Sequence, residues 1–222
     1  MHRLLLALLL LTIALPAPVQ ARQPHMGRYV LGLLWRGDQW TPERNARTDS
    51  LQAGHMANMQ RRYEEGWLVG AGPVLDPASS LRGLFIFKAD SVAQVIPLVA
   101  TDPAIASGRL RIDLYSWWSR PGIGEDYKRA RRANPAMKDS MVRYVLGLVE
   151  PSRTKGESMF GGTRMILSGT WLDERHRELV VFDTADTAQA RSWASSDPRV
   201  RDGSVRVELR PWMVARGVIP GH

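Results

Sequence analysis

The spacing of apolar residues predicts a succession of strands and helices from about residue 29 onward. Three short runs rich in β-branched, aromatic and leucine residues are typical of buried strands, and one alternating run is typical of a strand with one face exposed. The four predicted strands are Tyr29–Trp35, Trp67–Ala71, Gly83–Phe87 and Arg109–Trp117.

Two helices are expected between these strands. The first covers Thr48–Glu65, with its cap expected at Asp49 or Ser50. The second is expected to be capped by Asp90 or Ser91 and to run to about Ala100. It contains Pro97, which removes a helical hydrogen bond, so we expect a kink there.

The order strand, helix, strand, strand, helix, strand predicts the α+β class and the ferredoxin-like arrangement. In that arrangement a four-stranded antiparallel sheet carries both helices on one face. Its other face is apolar and bare, and a soluble protein rarely exposes so large an apolar patch. A second sheet is therefore expected to cover it.

The chain supplies that second sheet, because its pattern occurs twice. RYVLGLLWRG from Arg28 returns as RYVLGLVEPS from Arg143, and LFIFKADSVAQ from Leu84 returns as LVVFDTADTAQ from Leu179. TDPAIASGRLRIDLYSWW from Thr101 likewise matches the segment from Ser196, at the same offset of 95. We predict two ferredoxin-like modules, residues 28–118 and 140–222, packed sheet to sheet as an intramolecular pseudo-dimer.

The two copies differ in length near their starts. The offset falls from 115 at the first strand to 97 where AGPVLD returns as SGTWLD, so the second copy lacks 18 residues of the region that holds the first helix. The segment that joins the copies, residues 119–139, is basic and bounded by Pro and Gly. It is predicted to be a linker with a helical turn at Glu125–Ala133.

The N-terminus is typical of a secretory signal peptide. Arg3 precedes an uncharged run, Leu4–Leu15, and small residues at Val19–Ala21 suit cleavage. The alternative is a membrane anchor, but this run has 12 residues, and a spanning helix needs about 20. We therefore expect residues 1–21 to be removed, a periplasmic or secreted protein, and no stable membrane insertion afterwards.

Composition narrows the classes of partner and chemistry. The formal net charge of +8 would favour an acidic partner, but the two modules are nearly neutral and the largest share, +3, lies in the join. Export and this distribution argue against nucleic acid. The absence of cysteine excludes disulfides, thiolate metal sites and a cysteine nucleophile. The histidines outside the signal peptide are not spaced as metal ligands, and no glycine-rich phosphate loop occurs, so neither metal nor cofactor is expected.

Several short motifs resemble the YCII-related domains of the dimeric α+β barrel superfamily. They are QAGHMANMQ around His55, GAGPVLD at residues 70–76, ATDPAIASG around Asp102, and a closing strand that ends at Trp117. The resemblance implies a small cleft in which a helix-one histidine faces the aspartate of the DP motif as an acid–base pair. These roles map onto His55 and Asp102, and the implied chemistry is elimination or lyase-type steps on small ring compounds.

The second copy keeps Asp197 of its DP motif but has no matching histidine. The position equivalent to His55 is Ser152, in a Pro/Ser/Gly-containing stretch. At most one complete site is therefore expected, with the second module structural. The recurrence of the aspartate without a partner also favours a turn role, which Asp76 and Asp173 are expected to share.

The residues themselves leave the role of the pair open. An imidazole titrates near neutral pH, and a bound carboxylate fixes its tautomer, which suits proton transfer. A buried His–Asp pair is, however, often only a satisfied structural contact. Three tryptophans, Trp35, Trp117 and Trp118, are candidates to line a pocket for a flat ligand.

Two functions follow from these predictions. The first is a small exported enzyme, monomeric or homodimeric, that acts on a small organic molecule through His55 and Asp102. The second is a non-catalytic module that binds a small ligand in the same cleft. Loss of activity on replacement of His55 would support the enzyme. Ligand binding without turnover would support the binding module.

Overall fold

The computed structural model of the protein describes residues 26–151, 164–171 and 178–222. These ranges hold eight strands and six helices. The strands are β1 (Gly27–Arg36), β2 (Leu68–Pro73), β3 (Leu81–Phe87), β4 (Leu110–Ser119), β5 (Met141–Pro151), β6 (Met165–Trp171), β7 (Glu178–Phe182) and β8 (Val205–Ala215). The helices are α1 (Ala46–Glu64), α2 (Val92–Ala100), α3 (Pro103–Ala106), α4 (Glu125–Ala133), α5 (Thr187–Ala194) and α6 (Pro198–Arg201).

The eight strands form one antiparallel sheet in the order β2-β3-β1-β4-β6-β7-β5-β8. Each half of that order repeats the same permutation, which is that of the ferredoxin-like fold. The predicted α+β class with two ferredoxin-like halves is thereby confirmed.

The two halves meet along two seams. At the first, β4 pairs with β6 from Trp117 opposite Trp171 to Ser119 opposite Gly169. At the second, the outer strands β2 and β8 meet through a bridge between Val74 and Trp212. Together the seams close the sheet into a barrel, so that the described strands have no long unpaired edge.

The bare sheet faces of the two halves form one shared core inside this barrel. Trp117 and Trp212, which occupy equivalent positions in the two copies, are both completely buried there. Two smaller cores lie outside, where the helices of each half cover their own part of the sheet. The duplication thus gives each half the cover that a single module would lack.

Helix α1 begins earlier than its sequence pattern predicts. Its cap is Asn45, not Asp49 or Ser50. The Asn45 side chain accepts a hydrogen bond from the Thr48 backbone N–H at 3.0 Å, and the Thr48 hydroxyl accepts one from the Asn45 N–H at 2.9 Å. This reciprocal capping box satisfies two backbone donors, and it places the first turn outside the apolar pattern that predicted the helix.

The join between the copies is more than a linker. The predicted helical turn at Glu125–Ala133 is confirmed as α4. The preceding Ile123 is buried in the barrel core, and the Gly124 N–H donates to the Val218 carbonyl at 2.8 Å. The join is therefore fastened to the C-terminal segment, which brings its residues beside α1.

Some predictions fall outside the described ranges. These are the signal peptide at residues 1–21 and the shortened helix-one region, which lies mostly in 152–163. Within the described ranges no helix combines the length and the apolar character needed to cross a membrane. The module boundaries stay predictions.

Candidate functional site

His55 lies on the face of α1 that packs against the sheet. Only 8% of the residue is exposed, and its ring stacks on Phe85 of β3 with ring centres 5.7 Å apart and planes at 16°. In the sequence His55 is four residues from Leu51 and from Met59, a spacing that predicts an apolar, inward-facing stripe, and the burial of His55 agrees with it. The stack fixes the plane of the imidazole and leaves its edge to polar partners.

The Asp102 carboxylate binds the polar edge of the His55 ring. It sits between α2 and α3 and is 1% exposed. Its Oδ2 lies 2.8 Å from His55 Nδ1, and its Oδ1 accepts the Ala104 N–H at 2.9 Å, which caps α3. The DP motif explains the position, because an extended residue before proline at the first helical position is a favoured cap.

The geometry selects one tautomer of His55. An ionised carboxylate only accepts hydrogen bonds, so Nδ1 carries the proton that it donates to Asp102, and Nε2 keeps its lone pair. In the described part of the chain Nε2 has no hydrogen-bond partner. A neutral imidazole held in this way can take a proton at Nε2, and the carboxylate stabilises the cation that results.

Close packing holds the helices that carry the pair. A Cβ on Gly54 would lie 2.8 Å from the Pro103 ring, so only glycine lets α1 and α3 approach this closely. One turn beyond His55, the Asn58 amide donates to the Thr101 hydroxyl at 3.0 Å, and Arg62 donates to the same oxygen at 2.8 Å. The residue before Asp102 is thereby tied to α1 at two points.

His55 lines a cavity of about 530 Å³. The first half supplies most of the wall, from α1, β2 and the start of β4. The far wall comes from the join and from the second half, through Tyr127, Asp139, Met141, Met213 and Val218. The cavity therefore needs both halves, and the predicted structural module also shapes the site.

The far wall is held by its own polar contact. The Tyr127 hydroxyl donates to Asp139 at 2.8 Å, and the ring meets Tyr63 of α1 edge to face at 5.5 Å. Burial, followed by the bond to Asp139, raises the pKa of Tyr127 to about 12. Tyr127 therefore stays protonated through the neutral range and holds the join against α1.

The predicted aromatic lining is wrong in its residues. Among the described residues, the tryptophan that lines the cavity is Trp40, in the loop between β1 and α1. Trp117 is buried in the barrel core, Trp35 packs against that core, and Trp118 lies under the Arg28 guanidinium. Strand alternation explains Trp35 and Trp117, because odd positions of β1 and β4 face the barrel interior, on the opposite side of the sheet from α1. Trp118 lies on the other face but near the end of β4, whereas the start of β4 lines the cavity.

Sequence reasoning also missed Arg82 and Arg109, which line the same cavity. One signal was present in the repeat: Arg109 aligns with Ser204 at the offset of 95, so this arginine belongs to the first copy alone. Arg82 has no comparable signal, since a strand irregularity directs its side chain.

The second copy holds its aspartate in the same cap but gives it another partner. Asp197 Oδ1 accepts the Arg199 N–H at 2.9 Å, as Asp102 does with Ala104. Its Oδ2, however, receives the Arg199 guanidinium at 2.8 Å. This bond holds the pKa of Asp197 below its usual value. An arginine thus neutralises the carboxylate where the first copy has an imidazole.

The other predicted aspartates are turn residues where they are described. Asp76 Oδ1 accepts the Ala78 N–H at 3.0 Å, which makes an Asx turn after β2. Its other oxygen lies 3.6 Å from Arg210 of β8 and adds to the second seam. Asp173 and the Ser152 position lie outside the described residues. No cluster of metal-ligating side chains occurs within the described ranges.

Part of the chain matches a known family of protein domains. A search of curated proteins finds no match to the chain. Residues 37–117, which contain α1, the DP motif and the His55–Asp102 pair, match a family model. That the second half is a further copy of the same domain stays a prediction, supported by its shared strand order. The first half of the protein therefore carries a YCII-related domain.

Proposed function

We propose that the protein is an exported enzyme in which His55 transfers a proton to and from a small organic substrate in a lyase-type elimination. The observation that carries this proposal is the 2.8 Å contact from Asp102 to His55 Nδ1 on the wall of a cavity. It combines a positioned base with space for a substrate of small-molecule size.

The proposed step involves only His55, the substrate and, for the final proton, the leaving group or water. The lone pair of Nε2 takes a proton from a substrate carbon, and the electrons of that C–H bond form a double bond to the neighbouring carbon. A leaving group departs from that neighbour with its electron pair. The imidazolium, held by Asp102, then returns its proton to the leaving group or to water, so the enzyme ends as it began.

A neutral ring compound tests the base directly. Nitrobenzisoxazole opens to a coloured phenolate when a base removes its ring C–H proton and the N–O bond breaks. We expect the wild-type protein to accelerate this opening over buffer by about 100-fold or more, which is the contribution typical of a positioned base. We expect His55→Ala to lose the acceleration while it keeps its circular dichroism spectrum at the assay temperature; its melting temperature should fall, because Asp102 is left buried without its imidazole partner.

Two results would contradict the proposal. One is a wild-type rate no higher than that of His55→Ala. The other is ligand-induced thermal stabilisation without turnover of any eliminable compound, which would instead favour a non-catalytic binding module. A matched control is His222→Ala, since His222 is exposed and is not among the residues that line the cavity.

Export belongs to the same proposal. It is supported by the charged start, the short apolar run and the small residues of positions 1–21. Expression of the full chain in a Gram-negative host, followed by fractionation and N-terminal sequencing, should yield a periplasmic protein that begins near Arg22. A full-length protein in the cytoplasm would count against export and leave the chemistry untouched.

A further inference from the structure

One end of the cavity is lined by cations. Arg82 and Arg109 both line it, and their guanidinium carbons lie 5.2 Å and 4.6 Å from the centre of the Trp40 ring. Arg36 lies 5.5 Å from the same ring. Three positive charges therefore surround a single indole.

A strand irregularity puts Arg82 there. On β1, Leu34 pairs with Gly83 and the next residue, Trp35, pairs with Leu81, so Arg82 is skipped. A bulge of this kind redirects a side chain, and bulges occur often beside active sites. Without this bulge, regular alternation along β3 would have directed the Arg82 side chain to the other face of the sheet.

Two of these three arginines donate hydrogen bonds to backbone carbonyls. Arg82 donates to the Asp76 carbonyl at 3.2 Å, and Arg36 donates to the Pro77 carbonyl. Arg109 is half-buried and, within the described ranges, contacts the Trp40 ring without a hydrogen bond or an ion pair. None of the three has a carboxylate within ion-pair distance among the described residues. The end of the cavity thus holds a guanidinium whose donors are available.

The positive charges at this end of the cavity repel one another, and the charge of Asp76 offsets this only in part. Burial, together with the charge of Arg36, lowers the pKa of Arg82. An anion seated between Arg82 and Arg109 would relieve this repulsion, and the guanidinium fork matches a carboxylate with two parallel hydrogen bonds. The second copy supports a role for Arg109: at the equivalents of Ala104 and Arg109 it has Arg199 and Ser204, so the aspartate paired with an imidazole and the arginine with available donors both belong to the first copy.

The rest of the wall is apolar and adaptable. Methionines 56, 59, 141 and 213 line the cavity, and Met56 and Met141 are 52% and 42% exposed, so they lie at its mouth. Flexible thioether side chains adapt to apolar and aromatic surfaces. The wall therefore fits a flat apolar body better than a sugar or a phosphate ester.

We infer that the ligand of this cavity is a small aromatic or similarly flat organic acid, with its carboxylate on Arg109 and Arg82 and its ring among the methionines. For the end of the ligand that reaches His55 this inference rests on the proposed function. The charged end rests on the arginines alone.

The probes are naphthoate and its neutral amide, naphthamide, with affinities measured by calorimetry and by quenching of tryptophan fluorescence. We expect the wild-type protein to bind naphthoate about tenfold or more tightly than naphthamide, the preference that one hydrogen bond to a charged group gives. We expect Arg109→Gln to lose this preference. Arg111→Gln, which removes the same charge two residues along β4 from an exposed arginine paired with Asp113, should keep it.

Two outcomes would overturn the inference: equal wild-type affinity for the two probes, or an Arg109→Gln protein that still prefers naphthoate. Should Arg109→Gln fail to fold, Arg109→Lys provides the test, because it keeps the charge without the planar fork. We expect it to bind naphthoate several-fold more weakly, and undiminished binding would overturn the inference. Naphthoate affinity reports on the arginines and nitrobenzisoxazole opening reports on His55, so either proposal can fail alone.

Discussion

Replacement of Asp102 by Asn isolates the electrostatic part of the candidate site. The amide oxygen can still accept the Ala104 N–H, so the cap of α3 survives. The amide nitrogen then faces His55 Nδ1, where two donors would meet. His55 must therefore move its proton to Nε2 so that Nδ1 can accept, which removes the lone pair from the cavity side.

The magnitudes follow from these contacts. A hydrogen bond to a charged group contributes about 1.5–3 kcal/mol, and its loss in Asp102→Asn is partly replaced by the new amide bond, so we expect a loss of about 1–3 kcal/mol in the free energy of unfolding. For a chain of this length that corresponds to a fall in melting temperature of roughly 2–12 °C. Opening of nitrobenzisoxazole should fall by about 100-fold or more, since the base is held in the wrong tautomer.

The assay combines three readings on one variant. Thermal unfolding gives the stability, nitrobenzisoxazole opening gives the rate, and nitrogen NMR of the imidazole gives the tautomer. The matched control is Asp197→Asn, which changes the equivalent cap in the second copy and should lower the stability while the rate stays at the wild-type value. An Asp102→Asn protein that retains the wild-type rate, or that keeps Nε2 unprotonated, would refute this reasoning.

Three further predictions concern the frame around the site. Arg199→Gln should raise the pKa of Asp197 towards the ordinary value, which a carboxyl NMR titration measures. The stability that this pair contributes is present above the ordinary carboxyl pKa of about 4 and is lost as the pH falls through the lowered folded value. An unfolding free energy with the same dependence on acidic pH in the wild type and the variant would contradict this prediction. Tyr127, with a pKa raised to about 12, contributes stability that is present below the ordinary value of about 10 and is lost as the pH rises through about 12. Tyr127→Phe should reduce that alkaline loss, and an identical alkaline unfolding curve would count against it. Gly72→Ala places a Cβ in steric conflict with the Met213 carbonyl of β8 and should cost roughly 2–4 kcal/mol by chemical denaturation. Gly66→Ala meets no atom within 4 Å and should cost only the strain of its left-handed backbone, about 1–2 kcal/mol, so equal losses in the two variants would argue against closure of the barrel at this seam.

The shape of the cavity and the charge of its lining could not be predicted from the sequence, and one reason accounts for both. Val69 and Arg82 stand at irregular pairings of β2 and β3, and both line the cavity. Strand alternation places regular positions on one face or the other, but a bulge shifts the next side chain and leaves little local signature. Trp40 was missed because it lies in a loop, where periodicity gives no direction.

The repeat and the short motifs by themselves determined much of this protein. Spacing of apolar residues indicated the strands, the order of elements indicated the ferredoxin-like halves, and the doubled pattern required a partner for each bare sheet face. The spacing of His55 from Leu51 and Met59 also indicated that its side chain would point inward, and the DP motif indicated a turn at Asp102. Local pattern suffices for these features because period, cap and turn chemistry act within a few residues.

Only the tertiary structure decided how these pieces meet. It set the 2.8 Å contact between His55 and Asp102, which are 47 residues apart, and it closed the barrel through Val74 and Trp212. It also brought Met213 of the second half onto the wall of the first half's cavity. Such contacts depend on where distant strands and helices come to rest against one another, and that is fixed by packing of the whole barrel rather than by any segment alone.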